Sequence, residues 1–285
     1  MTFNFTVKDG THLHIRHWPC QHPIQKTPVF GVHGLLRTGA DFSWLADDLS
    51  LHHAFYAPDV RGRGKSGHSP YTTYTIDTYA DDMIETLDHL GLEKVHWLGT
   101  SMGGLIGMVM ALKHPERIKS LILNDIGPVL LNKGMRRIGN YVGVYPTFKT
   151  FEEGAHYIKQ IYAPFKLDDA MIKTLAEDSL VQKEGIYSFH YDPSLADAFR
   201  LYLKENPHND AEHWEDFRRI RCPMLVIRGE TSDILTPEIV EKMRTQCSGH
   251  LQTYTEPHTG HAPMLHKPET KKVIKDFVNG IDGLN

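Results

Sequence analysis

The residues best placed to do chemistry form the string Gly99-Thr100-Ser101-Met102-Gly103, a G-x-S-x-G pattern. A serine hydroxyl attacks a carbonyl only when a base takes its proton and donors hold the oxygen that turns negative. The apolar run Val95–Leu98 ends just before the pattern, and a helical run starts at Met102. Ser101 is therefore predicted on a tight strand-to-helix turn, the context of a nucleophile elbow. The flanking glycines let the backbone turn sharply around a strained serine. The helix that follows aims its first amides, and its partial positive charge, at whatever Ser101 holds.

The base is expected near the C-terminus, because this pattern implies the chain order serine, acid, histidine. His261, in Thr259-Gly260-His261-Ala262-Pro263, follows a strand-like run at Gln252–Thr255 and is the first choice over His258 and His266. The orienting acid should follow a strand end between the two. Asp233, in Arg228-Gly229-Glu230-Thr231-Ser232-Asp233, ranks first and Glu230 second. Asp125 ranks third, with capping of the loop Asn124–Gly127 as its expected role. The oxyanion donors are assigned to the amides of Met102 and of Leu35, the latter in His33-Gly34-Leu35-Leu36. His33 is expected to brace that loop.

The elements that must carry these groups are visible in the hydrophobic pattern. Phe3, Phe5 and Val7, then Leu13 and Ile15, alternate with polar neighbours on either side of Asp9-Gly10, which predicts a hairpin. Short apolar runs at Val29–Val32, Phe55–Ala57, Val95–Leu98, Leu121–Leu123 and Met224–Ile227 end in Gly, Pro, Asn, Asp or Arg-Gly and read as buried parallel strands. Helical spacing links Ile76, Tyr79, Met83, Leu87 and Leu90, then Leu105, Met108, Val109 and Leu112. It recurs at Ile239, Val240 and Met243, and at Val273, Ile274 and Phe277. Alternation of this kind predicts a doubly wound α/β fold with a mostly parallel central sheet flanked by helices. It lapses after about Pro128 and resumes near Cys222. Residues 1–127 and 220–285 are thus assigned to the core and 128–219 to an inserted helical cap, with helices near Phe151–Tyr162, Asp168–Gln182 and Ser194–Lys204.

Composition narrows the function. The 285 residues carry 31 Lys+Arg against 35 Asp+Glu, a net charge of −4, which argues against a strongly basic nucleic-acid surface. The longest nearly apolar stretch, Gly103–Leu112, is too short to span a bilayer. Cys20, Cys222 and Cys247 are an odd, sparse set with no C-x-x-C pair, and the first residues lack a signal-peptide pattern. A reducing, cytoplasmic setting is the expectation.

Taken in order, V-F-G-V-H-G-L-L-R, D-V-R-G-R-G-K-S-G, G-T-S-M-G-G, L-N-D-I-G-P, V-I-R-G-E-T-S-D and T-G-H-A-P resemble the α/β-hydrolase superfamily. The strings H-G-L-L-R-T-G-A-D-F, N-D-I-G-P and F-H-Y-D-P-S-L-A-D are similar to a bacterial branch of hydrolases and esterases. The resemblance runs from Val29 to Phe277 and is weakest in the insertion. It implies Ser101 as nucleophile, Asp233 as acid, His261 as base, Leu35 and Met102 as oxyanion donors, and the insertion as a helical cap over the pocket. Serine at the elbow and Leu36 where H-G-x-P would put proline disfavour haloalkane dehalogenases and epoxide hydrolases.

Other signals are set aside. Gly62-Arg63-Gly64-Lys65-Ser66-Gly67 fits G-x-G-x-x-G, but His68-Ser69-Pro70-Tyr71 is a loop and not an opening helix. A connecting loop braced by Asp59, Arg61 and Arg63 is expected instead. His12, His14 and His17 lack a further ligand at metal spacing and read as solvated strand-face residues. Lys133, Arg136 and Arg137 read as a solvated helix face. Met135, Tyr141, Tyr145 and Phe148 read as cap packing or pocket lining.

The resulting expectation is a serine hydrolase that cleaves a small carboxylic ester through an acyl-enzyme, with no cofactor, metal or nucleic-acid partner. The alternatives are hydrolysis of a carbon–carbon bond in a vinylogous diketone by the same residues, and a non-enzymatic ligand-binding protein on the same fold.

Overall fold

The computed structural model describes residues 1–23 and 26–283. Strands β1 (Thr2–Thr6) and β2 (His12–Trp18) pair antiparallel, Phe3 opposite Ile15 and Phe5 opposite Leu13. The turn between them closes at Gly10, whose φ of 92° suits glycine. Next come β3 (Lys26–Val32), α1 (Ser43–Leu49), β4 (His53–Pro58), α2 (Ile76–His89), β5 (Val95–Thr100), α3 (Met102–Lys113) and β6 (Ile118–Asn124). Helix α2 starts where the predicted period starts, with the Thr75 hydroxyl accepting from the Thr78 amide.

The chain then leaves the main sheet. It forms β7 (Val129–Leu130), α4 (Asn132–Gly139), β8 (Thr147–Phe148), α5 (Phe151–Ile161), α6 (Asp169–Ser179), β9 (Leu180–Lys183) and β10 (Ile186–Phe189). After these come α7 (Leu195–Glu205), β11 (Ala211–Glu212) and α8 (Trp214–Phe217). The main sheet resumes with β12 (Met224–Gly229), α9 (Pro237–Gln246), β13 (Leu251–Glu256) and α10 (Pro268–Ile281).

The eight-stranded sheet has the order β1-β2-β4-β3-β5-β6-β12-β13. β2 meets β4 antiparallel, and every neighbour from β4 to β13 is parallel. β5 and β12 are buried along nearly their whole length, which explains why both read as apolar runs without alternation. On one face Phe30, Val32, Trp97, Leu121, Leu123 and Val226 join the core with residues of α2 and α3. On the other, Val29, Phe55, Leu98, Ile122, Leu225 and Ile227 pack with α1 and α10.

The segment between β6 and β12 is not purely helical, contrary to expectation. α5, α6 and α7 fall where helices were expected, but α6 stops at Ser179 and the chain turns into a three-stranded antiparallel sheet, β8-β10-β9. β9 and β10 are joined by Glu184 and Gly185, both at positive φ (50° and 80°), the geometry of a two-residue primed turn. A small separate core of Ile158, Leu175, Ala176 and Leu180 holds α5, α6 and β9 together, with Trp44 and Met264 packed against it. No helix among the described residues is long and apolar enough to cross a membrane.

Candidate active site

Ser101 sits between β5 and α3 with φ 51° and ψ −112°, a strained conformation for a residue with a side chain. Its neighbours make the turn sterically feasible. A Cβ on Gly99 would stand 2.2 Å from the Gly103 carbonyl, and one on Gly103 would stand 1.9 Å from the Val32 carbonyl. The turn is tied from outside by the Ser101 amide, which donates to the Asn124 carbonyl at the end of β6 (2.9 Å).

His261 approaches from the loop after β13. Its Nε2 lies 2.9 Å from Ser101 Oγ, and its Nδ1 lies 2.8 Å from Asp125 Oδ2. A carboxylate can only accept, so Nδ1 carries the proton and Nε2 faces the serine hydroxyl as an acceptor. Asn124 fastens this loop through Nδ2, which donates to the Pro263 carbonyl (2.8 Å) and to Thr100 Oγ1 (3.0 Å).

The acid beside His261 is Asp125, not the first-choice Asp233. Asp125 adopts φ 58° at the end of β6 and is fully buried. The Gly229 amide donates to its Oδ1 (2.8 Å) and the Ser232 hydroxyl to its Oδ2 (2.6 Å). The left-handed bend and the donors from the end of β12 and the loop after it hold its carboxylate toward the histidine. Asp233 points elsewhere: its two oxygens lie 2.5 and 2.9 Å from Arg137 Nε and Nη2, and the pair is about half exposed. Glu230, the second choice, accepts from the His258 amide (2.7 Å). His258 is exposed, and His266 packs edge-on near Trp44.

The expected oxyanion donors flank Ser101. Met102 opens α3, so its amide has no intrahelical acceptor. Leu35 follows Gly34, and a Cβ at Gly34 would stand 3.9 Å from the Ser101 Cβ. The Leu35 N–H belongs to the same planar peptide as the Gly34 carbonyl. That carbonyl is pinned by His33 Nδ1 (2.7 Å) and the Arg37 amide (3.1 Å). The Val60 amide donates to His33 Nε2 (2.9 Å), which fixes the tautomer with the proton on Nδ1. Burial lowers the His33 pKa to about 4, which keeps the ring neutral near pH 7. The next peptide is held by the buried Arg63, whose Nε donates to the Leu35 carbonyl (2.8 Å) and whose Nη2 reaches Met102 Sδ (3.4 Å). His33 therefore braces the loop as expected. Arg63 does more than brace its own loop, because it touches both residues assigned to the oxyanion.

Ser101 and His261 open onto a cavity of about 540 Å³. Its walls come from the loop after β3, the His261 loop and the segment between β6 and β12, and they are largely aromatic and aliphatic: Tyr141, Tyr157, Tyr162, Phe165, Phe189 and Ile161 among them. The charged side chains lining it, among the described residues, are Arg37, Asp41 and Arg137. Arg37 grips Asp41 through Nε and Nη2, donates to Ser179 Oγ (3.2 Å) and lies over the Tyr162 ring. Arg137 is exposed, as expected of a solvated helix face, and it also lines the cavity. Tyr141 lines the cavity, whereas Met135 is core.

Outside the cavity, the glycine-rich loop is braced as expected. Asp59 accepts from Arg16 Nη1 (2.5 Å) and from the Gly39 and Lys65 amides, and Arg61 pairs with Asp82. His14 is buried against Asn4 (2.8 Å), not solvated. His53, His96 and Asp282 converge closely enough to suggest a metal site. Their atoms are already engaged: His53 Nε2 with Asn279 Oδ1, His96 Nδ1 with Ser120 Oγ, and Asp282 with the Lys119 ammonium and the Thr27 amide. Against the cost of its burial, hydrogen bonds from His96, Lys119 and the Thr27 amide hold the carboxylate well below the usual range, and the cluster reads as an anchor for the end of α10.

A hydroxyl, an imidazole and a buried carboxylate thus stand hydrogen-bonded in one row at the strand ends of an α/β sheet, beside a largely apolar cavity. The family model for the alpha/beta hydrolase fold matches residues 27–268, and the chain belongs to that family. It is 37% identical over 269 residues to the 3-hydroxybutyrate-oligomer hydrolase of Cupriavidus necator, covering 90% of both chains. A solved alpha/beta hydrolase from Novosphingobium aromaticivorans shares 30% identity and superposes with a TM-score of 0.81, covering 98% of each chain. The solved E-2-(acetamidomethylene)succinate hydrolase, at 21% identity and a TM-score of 0.83 over 98% and 99% of the two chains, shares the fold.

Proposed function

We propose that this hydrolase cleaves carboxylic esters through an acyl-enzyme on Ser101, with His261 as base and Asp125 as the acid that orients it. The observation that carries the reading is the pair of hydrogen bonds Ser101–His261–Asp125, 2.9 and 2.8 Å long. Ser101 Oγ attacks the ester carbonyl while its proton passes to His261 Nε2. The carbonyl oxygen, now negative, is received by the Leu35 and Met102 amides, each worth about 3 kcal/mol in such sites. The imidazolium gives its proton to the leaving alkoxide as the C–O bond breaks. Water then attacks the acyl group, its proton passing to His261 and back to Ser101, which frees the acid.

Residues 128–219 act as a cap in this reading. They supply the aromatic wall of the cavity and shield the acyl-enzyme from bulk water. The substrates we propose are short linear esters of hydroxy acids. Support comes from the relative that acts on 3-hydroxybutyrate oligomers and from a cavity of the size that holds a small molecule. Initial rates on p-nitrophenyl esters of rising acyl length and on the linear 3-hydroxybutyrate dimer, with Ser101→Ala in parallel, test this. Loss of both activities in the variant supports the reading; retention of either refutes it.

A further inference from the structure

We infer that Arg137 is a specificity residue that receives a free carboxylate on the substrate, so that the enzyme prefers esters carrying an anionic end. The inference rests on the ester-hydrolase reading above and deepens it.

It starts from the charge balance of the cavity. Arg37 and Arg137 contribute positive charge to the lining and Asp41 negative charge. Arg37 is spent: Asp41 lines the same cavity and neutralises it, and Ser179 takes a further N–H. Arg137 is neutralised differently. Its partner Asp233 is not part of the lining but approaches from the β12 loop behind it. Of the charged lining side chains among the described residues, Arg137 is thus the one whose ion-pair partner stands outside the lining. Asp233 occupies Nε and Nη2, and the Tyr141 phenol shares a further hydrogen bond. A guanidinium carries five N–H donors, so N–H groups beyond these remain to meet a carboxylate. Arg137 is 44% exposed, so an incoming carboxylate reaches it without breaking a buried pair.

Asp233 has a part in this arrangement. It holds the guanidinium in place and at the same time competes with the substrate for it. The two residues must then act with opposite sign on the binding of an anionic substrate, which a purely structural ion pair would not do.

The test uses the linear 3-hydroxybutyrate dimer with its carboxylate free and the same dimer capped as its primary amide, which removes the charge and keeps one ester bond. The ratio of kcat/KM between the two is measured for the native enzyme, Arg137→Gln and Asp233→Asn, with circular dichroism as the check on folding. The native enzyme is expected to favour the free acid. Arg137→Gln lowers that preference about tenfold, through KM, as for loss of a partly exposed charge-assisted contact. Asp233→Asn raises it about twofold to threefold. Ratios that do not move, or that move the same way in both variants, overturn the inference. If Arg137→Gln fails to fold, Asp233→Asn decides alone. Failure of the underlying reading is separately visible, because Ser101→Ala would then still hydrolyse both dimers.

Discussion

Asp125 Oδ2 stands 2.8 Å from Nδ1 of His261, a contact that joins the end of β6 to the loop after β13 across 136 residues of chain. The carboxylate belongs to a strand that also abuts the nucleophile turn, since the carbonyl of the preceding Asn124 accepts from the Ser101 amide. Serine, histidine and acid are therefore referenced to one strand end, and the His261 loop is tied to the same place by Asn124 Nδ2.

The first prediction follows from that contact. Asp125→Asn should lower kcat on p-nitrophenyl butyrate by about a thousandfold or more, because the amide favours the wrong tautomer of His261. Asp233→Asn should lower it by less than about tenfold. Steady-state kinetics on the two variants decides between the acids, and the reverse ranking would restore Asp233 as the partner of His261.

The misplacement of the acid shows where sequence patterns lose their hold. Ser101 and His261 were legible because a motif and a chain order point to them. Asp125 and Asp233 both follow strand ends, and nothing in their spacing says which turns inward. The choice lies in the φ of 58° at Asp125 and in donors from Gly229 and Ser232, at the end of β12 and in the loop after it, more than a hundred residues further along the chain. The expectation that Asp125 serves as a cap was half right: its Oδ1 does bind a loop amide, while Oδ2 faces the histidine. The strands β9 and β10 escaped for a local reason. Their turn, Glu184-Gly185, lacks the Asn-Gly or Asp-Gly signature that made the Asp9-Gly10 hairpin readable. The central parallel strands were plain from their length and their two apolar faces.

His33 supplies a pH prediction. Its folded pKa, about 4, lies below the value of about 6.5 expected for an unfolded chain. Between these values the unfolded state binds more protons, so stability rises with pH through that window and falls as the pH drops from about 6.5 to about 4. The loss from this one buried group amounts to about 3 kcal/mol. Urea unfolding of the native protein and of His33→Gln at pH 7 and pH 4.5 checks it. The native protein should lose more stability between the two pH values than the variant, and equal losses would contradict the assignment.

Arg63 is a positioning residue in this account, acting through the Leu35 peptide and not on the substrate. Arg63→Lys keeps the charge but gives up the fork that serves the Leu35 carbonyl and Met102. It should lower kcat about tenfold with KM within about twofold, the split expected when only the transition state loses a contact. A rise in KM with unchanged kcat would place Arg63 in ground-state binding instead.

The central claim is that ester cleavage passes through an acyl group on Ser101. Rapid quench of the enzyme turning over p-nitrophenyl butyrate, followed by mass spectrometry of the peptide containing Gly99–Gly103, reads this directly. The account predicts a butyryl adduct on Ser101 that accumulates in Asp125→Asn or in the native enzyme and is absent from Ser101→Ala, which also loses hydrolysis. Continued hydrolysis in Ser101→Ala, or an adduct on another residue, would contradict it.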